Sequence, residues 1–240
     1  MSGRARTDSE AATSRARSDS ALPPMLEALP IFPLPNCVLL PGGLLPLHVF
    51  EDRYRALTRD CLAGDHLMAI ARLRPDALVD DTGQPGVFAY AGVGRIIASD
   101  ELPDGRFMLL LRGVGRVAID AELPRAGSYR RVRARAVADA DAPDRARFAA
   151  AYESLRALCD RLALALDQCG DGGGAQLREL ARCASAPGRC ADAVAAALIM
   201  DVDERQRLLE TRCPQARLDL TIGAVSQLLC ALAPCDGDMN

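Results

Sequence analysis

The hydrophobic pattern changes period once along the chain. From residue 29 to about 138, short apolar runs are punctuated by Pro, Gly and Asp-Gly, as in strands joined by tight turns. Beyond 138, apolar positions recur every three or four residues, as in helices. The runs LPIFPLP, CVLLPGG, LLPLHVF, LMAIARL, VFAYAGVGRIIAS, RFMLLLRG, GRVAIDAEL and YRRVRARAVA predict seven or eight strands. Asp104-Gly105 separates an apolar run ending at Ala98 from one beginning at Phe107 and predicts a hairpin turn, because glycine adopts positive φ without steric cost. Pro30, Pro33, Pro35, Pro41 and Pro46 each remove a ladder donor, so the first runs are expected to be edge strands or extended connectors.

One helix interrupts the strands. Phe50, Tyr54, Leu57, Cys61 and Leu62 fall on one helical face, Glu51 and Asp52 sit at the positive N-terminal end, and Gly64 is placed as the stop. In the second part, Phe148, Tyr152, Leu155, Cys159, Leu162 and Leu166 form an apolar stripe on a long helix expected from about 141 to 170. The run GDGGG at 170–174 reads as a flexible joint. Further helices are expected near 175–184, 189–200, 203–210 and 215–232, the third with Asp201 and Glu204 resembling a capping box. The expected class is α+β, with a β-rich part at 28–138 and a helical part at 139–234. Residues 1–27, rich in Ser, Arg and Ala, are expected as a disordered tail, and 235–240 as a short C-terminal one.

Composition narrows the chemistry. All 29 basic residues are arginine, and no lysine occurs anywhere in the 240 residues. A Walker A loop, a Schiff-base enzyme and a Ser-Lys hydrolase each need an amine, and arginine cannot serve as a base at a pKa above about 12. The net charge of -3 is unevenly spread, the strand-rich part being mildly basic and the helical part acidic. Nine cysteines, an odd number without a CxxC spacing or an apolar signal segment, point to reduced thiols and a cytoplasmic location. Cysteines in the helical part are expected as small buried hydrophobes, because Cys183 to Cys190 and Cys230 to Cys235 lack structural-zinc spacing. The longest apolar run in the helical part, 193–200, is too short to cross a bilayer, so no membrane contact is expected.

Few side chains offer catalysis. His48 and His66 are the ordinary base candidates near neutral pH; His48 is read as packed at a strand end in preference to a partnership with Glu51 or Cys37, and His66 as a loop residue. Gly92, Gly94, Gly113 and Gly115 lack the third glycine of a dinucleotide fingerprint and read as twist or bulge positions in adjacent strands. Arg131, Arg133 and Arg135 share one strand face, with Arg125 and Arg130 nearby, so a nucleic-acid-binding module is the alternative to a solvated outer face. The acidic pI near 5.5 and the lack of interleaved aromatic residues weigh against it.

The stretch LPIFPLPNCVLLPGGLLPLHVFEDRYRALTRDCL, residues 29–62, resembles the N-terminal substrate-binding domain of the Lon protease family. The resemblance rests on Pro30, Phe32, Pro33 and Leu34, on Val38, Pro41-Gly42 and Leu45-Pro46-Leu47, and on Phe50-Glu51 with Arg53-Tyr54. Weaker echoes at Gly92 to Ile96, 102–106, 111–117, Glu204-Arg205-Gln206, Leu208-Leu209-Glu210 and Arg217-Leu218 extend it over 29–232. It implies a PUA-like β pseudo-barrel with one inserted helix, followed by a helical bundle. It also implies a non-catalytic protein that binds unfolded or hydrophobic polypeptide segments, or a protein partner, in an adaptor or chaperone-like role. The ATPase and Ser-Lys protease modules of a complete Lon enzyme are expected to be missing, because the length leaves no room and both active sites need lysine. Pro33, Pro41, Gly42, Pro46, Phe50, Glu51, Arg53 and Tyr54 are expected to shape the fold. Polypeptide binding is expected on Leu39, Leu40, Leu44 and Leu45 around the Pro41-Gly42-Gly43 turn. No catalytic residue, metal or cofactor is expected.

Overall fold

The computed structural model describes residues 22–75, 85–142, 144–170, 172–183 and 186–232. The expected tails therefore lie outside the described residues at 1–21 and 235–240. Strands β1 (Met25–Leu34), β2 (Leu44–Val49), β3 (Leu67–Arg72), β4 (Tyr90–Glu101), β5 (Phe107–Glu122) and β6 (Arg131–Ala136) form one sheet in the order β2-β5-β4-β3-β1-β6. Helix α1 (Asp52–Ala63) lies between β2 and β3, and α2 (Arg145–Gln168), α3 (Gly173–Cys183), α4 (Pro187–Leu198), α5 (Val202–Glu210) and α6 (Pro214–Leu232) follow. All strand pairs are antiparallel except β1 with β3. Because β5 also pairs with β6, the sheet closes on itself, and β2 hangs on the first half of β5 as an edge strand.

Three departures from the sequence pattern have local causes. RFMLLLRG and GRVAIDAEL are one strand of 16 residues, β5, kept continuous by a bulge opposite Gly94. The strand β1 starts at Met25, inside the segment expected as tail, because Leu26 pairs with Ala134 and is buried. CVLLPGG is not a strand; residues 37–43 cross the sheet instead, with Val38, Leu39 and Leu40 all buried. The crossing is possible because a Cβ at Gly92 would collide with the Leu39 carbonyl and one at Gly113 with the Leu40 carbonyl. These glycines are thus close-approach positions more than twist positions.

The crossing ends in a turn held by the Gly42 N–H donating to Gly113 at 2.8 Å and the Gly113 N–H donating to Gly43 at 2.8 Å. Gly42 has a φ of +82 and faces Ala193, while Gly43 faces Ala196, so the turn seats against α4. Helix α1 starts at Asp52, which leaves Phe50 outside it, and Glu51 is the N-cap residue without a side-chain cap bond. Gly64 does not supply the left-handed stop; its φ is -108, and His66 takes the positive φ of 63 as the chain reverses into β3. In the helical part, Asp144 caps α2 by accepting from the N–H groups of Ala146 and Arg147, and Asp201 caps α5 by accepting from Glu204.

Four apolar clusters lie among the described residues. One lies between the sheet and α1, around Phe32, Tyr54, Leu57 and Leu111, and a second on the other side of the closed sheet, around Ile31, Val93 and Val132. The bundle has its own core around Leu155, Leu162, Val194 and Leu218. The fourth joins the two parts: Val38 and Leu40 pack on Ala195, Ile199, Leu208 and Leu209. Buried charge crosses the same junction. Arg116 of β5 pairs with Asp192 of α4 at 2.6 Å, and Arg217 of α6 reaches Asp192 at 3.0 Å and Asp139 at 2.8 Å. Burial pushes the Asp192 carboxyl upward, and the two guanidinium groups act against it. Arg72 of β3 adds a 2.6 Å pair with Asp203 of α5.

Candidate functional site

A groove of ≈ 500 Å³ is lined by the end of β1, the end of β2 and the start of α1. Its floor follows from packing. Phe32 at the end of β1 and Tyr54 in the first turn of α1 stack with ring centroids 4.0 Å apart and are both buried. Burial raises the Tyr54 hydroxyl above the usual phenol range, with Arg53 acting against it. One wall is the extended segment from Phe32 to Pro35, and the facing wall runs from Leu47 to Phe50.

The rim is set by the entry to α1. Phe50 precedes the helix and stands 61% exposed, with the His48 ring 6.0 Å away. Arg53 lies over the Tyr54 ring at 4.6 Å, and its Nε and Nη2 meet Oε2 of Glu51 at 2.9 and 2.8 Å. At the far end Arg130 is buried: it donates to both carboxylate oxygens of Glu122 at 2.7 and 2.6 Å and to the Pro85 carbonyl at 3.0 Å. The groove therefore has an apolar floor and walls with a polar rim, where His48, Glu51 and Arg53 reach solvent.

Pro33, Phe50, Glu51, Arg53 and Tyr54, expected to shape the fold, come together here. Pro41 and Gly42 stay in the turn against α4, and Pro46 is exposed on the edge strand β2. The expected leucine patch does not exist as a surface. Leu39 and Leu40 are 3% and 1% exposed because the crossing segment inserts them into two cores, and Leu45 packs inward. Leu44 alone is open, at 60%. Sequence reading missed His48 and Leu47 as wall residues, and Leu73 and Pro85, which approach only through the fold. His48 is exposed instead of packed, and among the described residues no hydrogen bond joins it to Glu51 or Cys37.

The basic strand has the predicted faces, with Val132 and Ala134 buried and Arg133 and Arg135 exposed. Its charge is partly cancelled, since Arg135 pairs with Asp120 at 2.9 Å and Arg130 with Glu122. Cys159 and Cys190 are buried as expected of the helical part and Cys61 of α1 is buried too, whereas Cys169 and Cys230 are exposed. Among the described residues, no three His, Cys, Asp or Glu side chains gather to hold a metal ion, and no helix is long and apolar enough to cross a membrane.

An α+β domain with an apolar groove at the mouth of a closed sheet and a five-helix bundle behind it is the class that these observations define. The model of the ATP-dependent protease La (LON) substrate-binding domain matches residues 28–227, and the chain belongs to that family. Lon protease 2 of Myxococcus xanthus is 28% identical over 196 residues, which is 82% of this chain and 23% of that protein. The Lon protease of Anaeromyxobacter dehalogenans is 28% identical over 81% of this chain and 22% of its own length. The chain thus spans less than a quarter of the curated relatives that it matches. Two solved structures share the fold: the Lon N-terminal domain protein from Xanthomonas campestris (TM-score 0.57, 23% identity, 82% of this chain and 98% of that one) and the N-terminal domain of the Mycobacterium avium complex Lon protease (TM-score 0.63, 20% identity, 83% and 98%).

Proposed function

We propose that the chain is a non-catalytic binding protein that takes unfolded or hydrophobic polypeptide segments into the groove beside Phe50, in an adaptor or chaperone-like role. The observation that carries this reading is the exposed Phe50 ring at the lip of a groove with an apolar floor, built largely from residues that carry the family resemblance. A large aromatic left in water next to an apolar floor is the arrangement that gains most from covering by a ligand side chain. The family's substrate-binding description supports the same role, and the absence of lysine supports a role without ATP hydrolysis or Ser-Lys proteolysis in this chain.

The test is a fluorescence-anisotropy titration with a chemically unfolded, labelled protein and its native form as control. Saturable binding of the unfolded form alone, weakened roughly tenfold or more by Phe50→Ala, supports the proposal. Equal binding by wild type and Phe50→Ala, or none by either, removes it.

A further inference from the structure

The polar groups of the groove suggest which part of a polypeptide is recognised, and this step rests on the reading just given. Glu51 uses only Oε2 for Arg53, and Arg53 uses Nε and Nη2 in return. Among the described residues, Oε1 of Glu51 and Nη1 of Arg53 keep no hydrogen-bond partner, and both side chains are 41% exposed. Each holds the other in place, and the Tyr54 ring supports the guanidinium from below. At the lip Glu51 thus keeps a spare acceptor and Arg53 a spare donor two residues apart, and their charges cancel.

The opposite wall complements them. The Leu34 carbonyl accepts from the Leu73 N–H at 2.9 Å, on the β3 side. Carbonyls alternate along a strand, so that of Pro33 points to the other edge. There β6 has run out: its last pairings are Arg131 with Pro30 and the Ile31 N–H donating to the Arg130 carbonyl. Pro33 and Pro35 have no N–H, so on that edge these two residues present acceptors only.

We infer that the groove reads the main chain of an extended apolar peptide: peptide N–H groups donate to the Pro33 carbonyl and to Glu51, and a peptide carbonyl accepts from Arg53. Apolar side chains of the peptide cover Phe50 and the Phe32–Tyr54 floor. Main-chain groups are common to all sequences, so such a groove accepts any apolar segment that is extended and rejects one whose amides are already paired in a helix or sheet. Neutrality of the lip fits a ligand without a required charge.

The test uses wild-type protein and a short fluorescent peptide of alternating leucine, phenylalanine and serine, compared with the same peptide N-methylated at its central amides. N-methylation removes the donors and leaves the side chains. The expected result is binding of the parent weakened about tenfold by N-methylation and about tenfold by Arg53→Ala. Equal affinity for parent and N-methylated peptide, with Phe50→Ala still weakening both, overturns main-chain recognition and leaves the groove as an apolar binding site. Parent binding that ignores Phe50→Ala overturns the groove reading and this inference together. The methylated-peptide comparison needs no variant, so it does not depend on how Arg53→Ala folds.

Discussion

At the scale of single residues, the surface around the groove separates folding from binding. Phe50 is mostly in water, so Phe50→Ala is expected to change unfolding free energy by no more than about 0.5 kcal/mol in a urea titration, while weakening peptide binding. Gly113 is the reverse case. A methyl group there meets the Leu40 backbone carbonyl, which cannot swing aside as a side chain would. Gly113→Ala is expected to cost about 3 kcal/mol in the same measurement, near the upper end for overpacking. A loss below about 0.5 kcal/mol would show that residues 38–43 do not lie across the sheet as described.

At the scale of elements, the junction between sheet and bundle depends on charges that are out of water. Asp192 is 4% exposed and faces Arg116 and Arg217, themselves 2% and 1% exposed. Removing the acid leaves two guanidinium groups buried without their counter-charge, so Asp192→Ala is expected to cost about 3–5 kcal/mol, read from thermal or urea unfolding. The element pattern also explains what was legible in the sequence. Helices α2 to α6 announced themselves through period and caps, because each buries one stripe against its neighbours. The hairpin at Gly105, with its φ of +78, was legible for the same local reason. CVLLPGG misled because a run buried on all sides looks alike whether it lies in a sheet or across one. The groove was legible only as scattered motif residues: Pro33 and Phe50 are brought together by the return of β2 toward β1, and nothing local marks Leu73 or Pro85 as their neighbours.

At the scale of the whole molecule, the missing lysine simplifies the alkaline side of the stability curve. Cys61 and Cys159 are pushed up to about 12, chiefly by burial, and Tyr129 to about 12 by burial and its hydrogen bond to Asp60. In the unfolded chain, thiols ionise at about 8.5 and phenols at about 10. A raised folded value means that the stabilisation is complete below the unfolded value and is lost as pH rises through the folded one. Stability is therefore expected to fall steadily between about pH 8.5 and about pH 12, with no lysine titration beneath it. Urea unfolding across that range checks it, and a flat profile would contradict the burial of these groups.

The family model matches residues 28–227, and the chain spans less than a quarter of the curated relatives that it matches. The place proposed for binding on that fold is the groove at the meeting of β1, β2 and α1. The most direct measurement is amide chemical-shift mapping of the isotopically labelled protein during titration with a chemically unfolded polypeptide. Saturable shifts concentrated at Leu34 and from Leu47 to Tyr54 are expected if the groove is where polypeptide binds. Shifts confined to Arg133 and its neighbours on β6, or to the outer faces of α2 and α6, would contradict it.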